Sequence, residues 1–346
     1  MFKRRHLWWQ IGISIACLAW LAMQVNLGQI WETVQLADWR AWPWVLVTYM
    51  AFMFLRAWRW QMMLGRHAKY WPVFHAQSIG YLLTNVLPFR LGDLGRAYVI
   101  GQQPQLSSSH VLSTIVVERI LDMVVIVLLF TCTLPSAPVV DPLVRQAGIG
   151  FGVLTGLGIG LLGLAVWQES RALTICRWLL VRQRWLDRQA WLNRIASFIS
   201  GFQVLRDWRV LLRVLSASLT IWLAIAVTYY IGIRAFWPTI PWQAAVFALC
   251  VSTFGVSVPS SPSGVGVFHA SIVVGLSTFT VSRAQALGFA FAYHAFSLVV
   301  VLIVGSIGLW QSGRTLAQVA AIGKAESRAL CMDEECPIMA GRRRSG

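Results

Sequence analysis

The sequence predicts an all-α polytopic membrane protein with about six full spans and two broken hairpins. Of its 346 residues, 57% are apolar and 12% are charged, which is about half the charged share of a soluble globular protein. The mean hydropathy is +0.63. A net charge of +16 is typical of nucleic-acid-binding proteins, but that class needs a chain polar enough to stay in water. We therefore expect membrane lipids, and not nucleic acid, as partners.

Full spans are predicted where about 20 mostly apolar residues follow one another. Two further apolar segments, 72–100 and 244–279, are interrupted. Pro88 breaks the first, because proline has no amide hydrogen to continue a helix, and a stretch rich in Pro, Ser and Gly breaks the second. The stretch after the basic N-terminus is too long for a signal peptide, so we expect it to be a retained helix. The six predicted spans are 7–26, 42–64, 110–134, 147–167, 214–236 and 284–311.

The distribution of Lys and Arg predicts the orientation of these spans by the positive-inside rule. Loop 168–213 contains nine Arg, and it faces the cytoplasm only if segment 72–100 enters the membrane and returns to the same side. The same reasoning makes segment 244–279 enter from the opposite side. Two hairpins entering from opposite faces predict an inverted repeat, as in many transporters. We expect a multi-pass protein of the cell (inner or plasma) membrane with both termini in the cytoplasm.

The chain is predicted to form one transmembrane domain, residues 1–312, followed by a flexible cytoplasmic tail, 313–346. The insert 168–213 is basic, and its segment 170–199 is either an interfacial amphipathic helix on an anionic leaflet or a plain helical linker. A ladder of small residues at i+4 spacing predicts close helix packing, either within the chain or between copies in an oligomer. It consists of Gly148, Gly152, Gly156 and Gly160.

Ionisable residues inside the apolar segments indicate a functional site, because each costs about 2.5–3.5 kcal/mol to insert. Arg56 and Arg59 lie one turn apart on the second span, and snorkelling to the membrane surface is the alternative for them. Arg90, Asp93 and Arg96 follow the proline of the first broken segment. A purely structural Asp93–Arg96 pair at a turn is the alternative there.

A third cluster contains Glu118, Arg119 and Asp122. Glu118 and Asp122 share one helix face, which favours a role as counter-ions to Arg on a neighbouring helix over paired catalytic acids. If all clusters converge, five Arg meet three carboxylates, and an anionic group should complete the site. Arg suits a phosphate, so charge reversal at Arg90 is expected to abolish binding of an anionic lipid. The candidate phosphate-binding residues are Arg56, Arg59, Arg90, Arg96 and Arg119.

The second broken segment is rich in hydroxyl groups, and a helix restarting near Gly266 would turn its N-terminal amides toward a cavity. His269 follows in the first turn. It is either a proton-handling group or a hydrogen-bonded membrane histidine, and it joins Asp93, Glu118 and Asp122 as a candidate counter-ion or proton carrier. The residues predicted to form the two hairpins are Asn85, Pro88, Gly92, Pro259, Pro262, Gly264 and Gly266.

Four motifs in order resemble the lysylphosphatidylglycerol synthase transmembrane-region family, also called flippase-like proteins, over residues 7–312. They are Arg-x-x-Arg-Trp at 56–60, Asn-x-Leu-Pro-x-Arg-x-Gly-Asp-x-x-Arg at 85–96, Glu-Arg-x-x-Asp at 118–122 and Pro-x-x-Pro-x-Gly-x-Gly at 259–266. The resemblance implies a role in translocating or handling lipids. It maps candidate site residues to Arg90, Asp93, Arg96, Glu118, Arg119 and Asp122.

Two departures from the family pattern lie in the second hairpin. Ser263 interrupts the usual Pro-Gly-Gly, and His269 stands where the family usually has Glu. If that Glu handles substrate or protons in the family, we expect this chain to differ from the family in its lipid or in its chemistry.

The leading functional hypothesis is flippase-like translocation of an anionic or phosphate-bearing lipid between leaflets. One alternative is an intramembrane lipid-modifying transferase for glycosyl or phosphoryl groups, with Glu118 or Asp122 as the base. Another is a non-catalytic scaffold that binds lipid-synthesis enzymes. We find no nucleotide, metal or nucleophile motif, and only the tail follows the last span in place of a lysyl-transferase half. The sequence therefore favours a protein that is not an enzyme and needs no cofactor.

Overall fold

The computed structural model of the chain describes residues 27–65, 68–86, 92–103, 106–138, 140–167, 206–257 and 261–313, with a few isolated positions elsewhere. These ranges contain helices and no strands, which confirms the predicted all-α polytopic fold. The α-helices are α1 Leu27–Gln35, α2 Trp42–Leu64, α3 Tyr70–Val86, α4 Gly92–Gly101, α5 Ser108–Thr133, α6 Pro142–Trp167, α7 Trp208–Arg234, α8 Trp242–Ser257, α9 Val267–Ser277 and α10 Arg283–Gln311.

Three of the long helices, α5, α7 and α10, begin where the sequence places a side-chain oxygen just before an apolar run. Ser107 accepts a hydrogen bond from the His110 amide at the start of α5, and Ser282 accepts one from Gln285 at the start of α10. Asp207 caps α7 in the same way. Such caps satisfy amide groups that have no partner within the helix. Local sequence therefore accounts for where these three helices start.

Five long helices coincide with predicted spans. By length and composition, the regions of α6, α7 and α10 that can cross a membrane are Pro142–Gly163, Trp208–Arg234 and Arg283–Gln311. Helices α2 and α5 are comparably long, 23 and 26 residues, but they carry the ionisable residues. The predicted span 7–26 lies almost entirely outside the described residues, as do segment 170–199 and most of the tail.

Two pairs of shorter helices form the hairpins. Helices α3 and α4 have 17 and 10 residues, and α8 and α9 have 16 and 11, so each falls short of the length needed to span a bilayer. Small residues bring the paired helices together. A Cβ on Gly80 would lie 3.1 Å from the Gly92 carbonyl oxygen, and one on Gly275 would lie 3.0 Å from the Ala248 Cα. Each pair therefore packs at backbone contact distance.

The bundle has two ends, which we call end A and end B. At end A the Asp38 amide donates to the Ala235 carbonyl, so the beginning of α2 lies beside the end of α7. End B carries the opposite ends of these two helices, where Gly65 shares a surface cleft with Val210. Helices α2 and α7 are thus antiparallel.

The two hairpins enter from opposite ends of this bundle. Helix α3 starts at end B, where the His75 carbonyl lies against Gly308 near the end of α10. Helix α8 starts at end A, where Trp242 packs on Tyr230 of α7. The tips meet inside the bundle, where the Ser263 hydroxyl donates to the Asn85 carbonyl at 3.0 Å. This arrangement agrees with the predicted pair of opposed hairpins.

The turn between α8 and α9 depends on residues that tolerate left-handed backbone. The φ angles of Ser263, Gly264 and Gly266 are 61°, 67° and 87°, a region that non-glycine residues seldom adopt. The tip of the first hairpin, 87–91, and positions 258–260 of the second lie outside the described residues. Pro88, Arg90 and Pro259 therefore lie outside the described residues, and their roles stay predictions.

The apolar residues divide between a core and an outer surface. A large core joins α2, α5, α7, α8, α9 and α10, with Phe247, Phe289 and Tyr293 at its centre. Helix α6 reaches this core through Val144 and Phe151, while Leu154, Leu157 and others further along it are exposed to the surroundings. An exposed apolar face of this length is what a lipid-facing helix requires.

The glycine ladder on α6 packs within the chain at one end only. A Cβ on Gly148 would collide with the Phe130 ring of α5, and one on Gly152 would lie 4.0 Å from Val127. At Gly156 and Gly160 the described residues place no atom within 4 Å. Close packing is therefore intramolecular at Gly148, while an oligomer formed through the other end of the ladder stays a prediction.

Gly92→Ala is expected to destabilise the protein by about 1–3 kcal/mol. The added methyl would overlap the Gly80 carbonyl and the Thr84 hydroxyl, so α4 must move away from α3. Reversible unfolding in mixed micelles, followed by circular dichroism, measures the loss. The control is Gly163→Ala, because that site has no neighbour within 4 Å. Equal stability of the two variants would show that the close approach of α3 and α4 is not required.

Candidate functional site

Helix α2 contributes two buried guanidinium groups to the centre of the molecule. Arg56 and Arg59 are three residues apart, so both point toward α5 from one face of the helix. Neither side chain snorkels to a membrane surface, since Arg56 is buried and Arg59 has no exposed area. Their charge must therefore be compensated inside the bundle.

Helix α5 supplies the compensating carboxylates. Glu118 and Asp122 are four residues apart and face α2 together. Arg56 donates to Glu118 at 2.5 Å and to Asp122 at 2.8 Å, and Arg59 donates to Asp122 at 2.7 Å. These charge-assisted bonds join α2 and α5 through four side chains that the sequence analysis singled out.

Helix α4 brings a third part of the cluster from the first hairpin. Arg96 is buried and contacts Glu118 at 3.1 Å and Asp93 at 2.9 Å. Asp93 lies in the first turn of α4, and both of its oxygens accept from Arg119, at 2.8 and 3.0 Å. The Asp93–Arg96 pair thus exists, but it belongs to a larger network. Arg119 lies 4.0 Å from Asp122, so its closer partner is on α4.

Several neutral side chains that the sequence analysis did not select hold the cluster in place. The Trp222 indole donates to Asp122 at 3.1 Å, and Arg59 donates to the Ser218 hydroxyl at 2.8 Å. The Trp60 ring lies under the Arg96 guanidinium, 4.8 Å away, a distance suited to a cation–π contact. The only sequence signal for Trp222 and Ser218 is a polar group on the apolar helix α7.

The charges of the described cluster do not cancel. Four Arg and three carboxylates leave a surplus of one positive charge, and Arg90 lies outside the described residues. Within the cluster the buried Nε atoms of Arg56 and Arg96 have no hydrogen-bond partner in the described part of the chain. The cluster thus retains positive charge and buried donors without a matching acceptor, which is unfavourable.

A cavity of about 370 Å³ adjoins the cluster between the two hairpins. Arg56, Arg96 and Arg119 line one side of it, together with Asp93 and Asp122. Side chains of α3, α7, α8 and α9 line the remainder, including Gln77, Tyr81, Thr84, Tyr229, Ser252, Thr253, Ser257 and Phe268. The volume lies within the range of small-molecule sites, about 300–1,000 Å³.

The cavity lies at half-height and is open to the surroundings beside Asp93 and Arg119. Arg119 is about 17 Å along α5 from its start, at 1.5 Å per residue, close to the middle of a hydrocarbon core of about 30 Å. Yet the side chains of Arg119 and Asp93 are 46% and 38% exposed. Charged groups at this depth normally face a cavity or a partner rather than lipid tails. The exposed Asp93–Arg119 pair therefore marks the mouth of the cavity.

The structure does not bring His269 to the ion cluster. Its Nδ1 accepts from the Gly266 amide at 3.3 Å, and its ring stacks on His294 with centroids 5.0 Å apart. The hydrogen bond to His269 occupies the Gly266 amide at the start of α9, which was expected to face the cavity. Phe268, the preceding residue, lines the cavity instead. A proton-handling role for His269 stays a prediction.

The fold and the site define a class: a polytopic helical membrane protein whose cavity is lined by buried ion pairs and lies between opposed helical hairpins. The family model of the lysylphosphatidylglycerol synthase TM region matches residues 7–305, and the chain belongs to this family. The match confirms the family predicted from the four motifs, and it gives the protein a lipid-related role in a membrane. No curated protein and no solved structure matched the chain.

Proposed function

We propose that the protein moves an anionic, phosphate-bearing lipid between the leaflets of the membrane, as a flippase-like carrier. The observation that carries this proposal is the charged cavity at half-height, with the exposed pair Asp93 and Arg119 at its mouth. A headgroup can enter there while the acyl chains remain in the bilayer. The cavity thereby gives the charged headgroup a polar path across the membrane, so that the headgroup does not have to enter the hydrocarbon core.

The charge of the cavity supports a phosphate as the bound group. The surplus of one positive charge and the unpartnered Nε atoms of Arg56 and Arg96 call for an anionic oxygen. Arg binds phosphate oxygens through its planar fork of donors. Arg59 lies behind the carboxylates without exposed area, so its part in this proposal is to hold Asp122 in place.

The opposed hairpins support movement across the membrane rather than binding alone. Their tips meet through Ser263 and Asn85, next to the cavity walls formed by Thr84 and Ser257. Rocking one hairpin against the other would open the site toward end A or end B in turn, as in transporters built from inverted repeats. From the charge distribution we place end B and both termini at the cytoplasmic face of the cell membrane.

The geometry favours a carrier over a lipid-modifying transferase. A general base needs an acceptor that is free to take a proton. The oxygens of Glu118 contact Arg56 and Arg96, and those of Asp122 contact Arg56 and Arg59. These contacts support the counter-ion role for both acids. Within the described ranges no group of His, Cys, Asp or Glu could hold a metal ion.

Reconstitution into liposomes tests the proposal. Lipids labelled on an acyl chain keep their natural headgroups, and a membrane-impermeant quencher measures how fast label leaves the protected leaflet. We expect phosphatidylglycerol to exchange faster in proteoliposomes than in protein-free liposomes, and phosphatidylcholine to exchange at the protein-free rate. If folded protein is present in the vesicles and every anionic lipid still exchanges only at the protein-free rate, the proposal is contradicted.

Thr253→Trp is expected to abolish this exchange. Thr253 lines the cavity on α8, and an indole there fills space that the headgroup needs, whereas the surrounding fold has room for it. The matched control is Thr220→Trp, which makes the same change at an exposed position of α7. Exchange rates of the two variants at equal protein density provide the comparison. Full activity of Thr253→Trp would exclude this cavity as the path.

A further inference from the structure

Uncharged polar groups from three helices, which we call the polar wall, form part of the cavity lining beside apolar residues such as Val256. Ser252, Thr253 and Ser257 come from α8, Tyr229 comes from α7, and Gln77 comes from α3. A phosphate bound to the Arg side chains would leave the rest of its headgroup against this wall. The chemistry of the wall therefore selects what the phosphate carries.

The hydroxyl groups of this wall present acceptors to the cavity. Ser252 and Thr253 donate to the Leu249 carbonyl at 2.9 and 2.8 Å, and Ser257 donates to the Thr253 carbonyl at 2.7 Å. Each hydroxyl has one hydrogen and two lone pairs. With the hydrogens committed to the helix backbone, Ser252 accepts from the Tyr229 hydroxyl at 3.1 Å, and the other lone pairs remain to accept a hydrogen bond from a ligand.

Gln77 provides an unsatisfied polar group in the lining of the same cavity. Its side chain is 2% exposed, one end of its amide contacts the Tyr81 hydroxyl at 3.3 Å, and the other end has no partner in the described residues. A buried polar atom without a partner is unfavourable. A ligand hydroxyl can both donate and accept, so it satisfies the free end of this amide.

The carboxylates that reach the cavity are already engaged. Asp93 is held by Arg96 and Arg119, and Asp122 is held by Arg56 and Arg59. A headgroup ammonium would therefore find no free anion, and it would add positive charge to a cluster that already carries a surplus. A phosphodiester with an uncharged substituent carries one negative charge and balances that surplus.

We propose that the preferred substrate is a phospholipid whose phosphodiester bears an uncharged, hydroxyl-rich group, such as glycerol or a sugar, and no amine. This inference rests on the translocation function proposed above. The Arg side chains would bind the phosphate, while Gln77 and the α8 hydroxyls would bind the hydroxyl groups of the substituent. The single phosphate charge equals the surplus of the described part of the cluster.

A competition between headgroups tests the proposal. Wild-type protein is reconstituted with acyl-labelled phosphatidylglycerol, phosphatidylethanolamine, lysylated phosphatidylglycerol or phosphatidic acid, and exchange rates are compared at equal protein density. We expect phosphatidylglycerol to exchange roughly tenfold faster than each of the two amine-bearing lipids, the equivalent of about 1.4 kcal/mol. Phosphatidic acid has no hydroxyl-bearing substituent, and we expect its exchange rate to lie between that of phosphatidylglycerol and those of the amine-bearing lipids.

Gln77→Leu separates the hydroxyl contacts from the phosphate contacts. The variant should lower the ratio of phosphatidylglycerol to phosphatidic acid exchange about threefold to tenfold, the effect of one lost hydrogen bond. Gln311→Leu, at an exposed position near the end of α10, is the matched control and should keep the wild-type ratio. An unchanged ratio for Gln77→Leu overturns the proposal, as does amine-lipid exchange that equals or exceeds phosphatidylglycerol exchange. Absence of exchange for all lipids would instead overturn the translocation function itself.

Discussion

Asp122→Ala is expected to lower the free energy of unfolding by about 3–5 kcal/mol, the cost of removing one partner from a buried ion pair. Asp122 accepts hydrogen bonds from Arg56, Arg59 and the Trp222 indole. Its removal leaves all three donors short of an acceptor and raises the positive surplus of the described cluster from one to two. The loss should exceed that of a simple large-to-small change, because the cavity it leaves is lined by charge.

Unfolding of the purified protein in mixed micelles measures this effect. Asp122→Asn keeps the size of the side chain and one acceptor oxygen, so it should be destabilised less than Asp122→Ala. The matched control is Asp141→Ala at the exposed start of α6, where Asp141 accepts from the Leu143 amide. Loss of such a cap costs about 0.5–2 kcal/mol. If Asp122→Ala were no less stable than Asp141→Ala, the network could not be the main link between α2 and α5.

Much of the ion cluster could be predicted from the sequence, because charges in apolar helices are conspicuous and helix periodicity fixes which of them share a face. The spacing of Arg56 from Arg59, and of Glu118 from Asp122, is sufficient to place each pair on one side of its helix. Which helix lies opposite is a tertiary question. The structure answers it by placing α5 against α2.

The partner of Arg119 illustrates the limit of reasoning from spacing. Asp122, three residues away, is the nearest acid along the helix, but Asp93 of α4 binds Arg119 more closely. That contact depends on how the first hairpin folds back, which is determined by close packing at Gly80 and Gly92. Local periodicity contains no information about it. The same holds for Ser218, which meets Arg59 across 159 positions of sequence.

The hairpins were predicted from chain breaks and from the count of basic residues, and their opposed entry follows from that topology. The meeting of their tips could not be predicted, since the bond from Ser263 to Asn85 joins positions 178 apart. His269 shows the opposite outcome. Its place in the first turn of α9 was expected, but its ring lies against His294 and Phe291. A residue's position on a helix therefore did not determine which cavity it faces.

Transport should follow the net charge of the cluster, and Arg119 is the side chain best suited to test this because it is partly exposed at the entrance. Arg119→Gln lowers the described surplus from one to zero, and Arg119→Glu lowers it to minus one. We expect a stepwise loss of phosphatidylglycerol exchange, to roughly one hundredth of the wild-type rate for Arg119→Glu, about 2.7 kcal/mol. Arg145→Glu, at an exposed site near the start of α6, makes the same change outside the cluster and should exchange lipid normally.

The double variant Asp93→Asn with Arg119→Gln distinguishes net charge from direct contact. It removes one charge of each sign, so Arg56, Arg59 and Arg96 still exceed Glu118 and Asp122 by one. If the surplus attracts the phosphate, exchange should return to near the wild-type rate although the guanidinium of Arg119 is gone. If the double variant is as slow as Arg119→Gln, the phosphate depends on Arg119 itself. The buried surplus would then act through one side chain at the entrance rather than through the cluster as a whole.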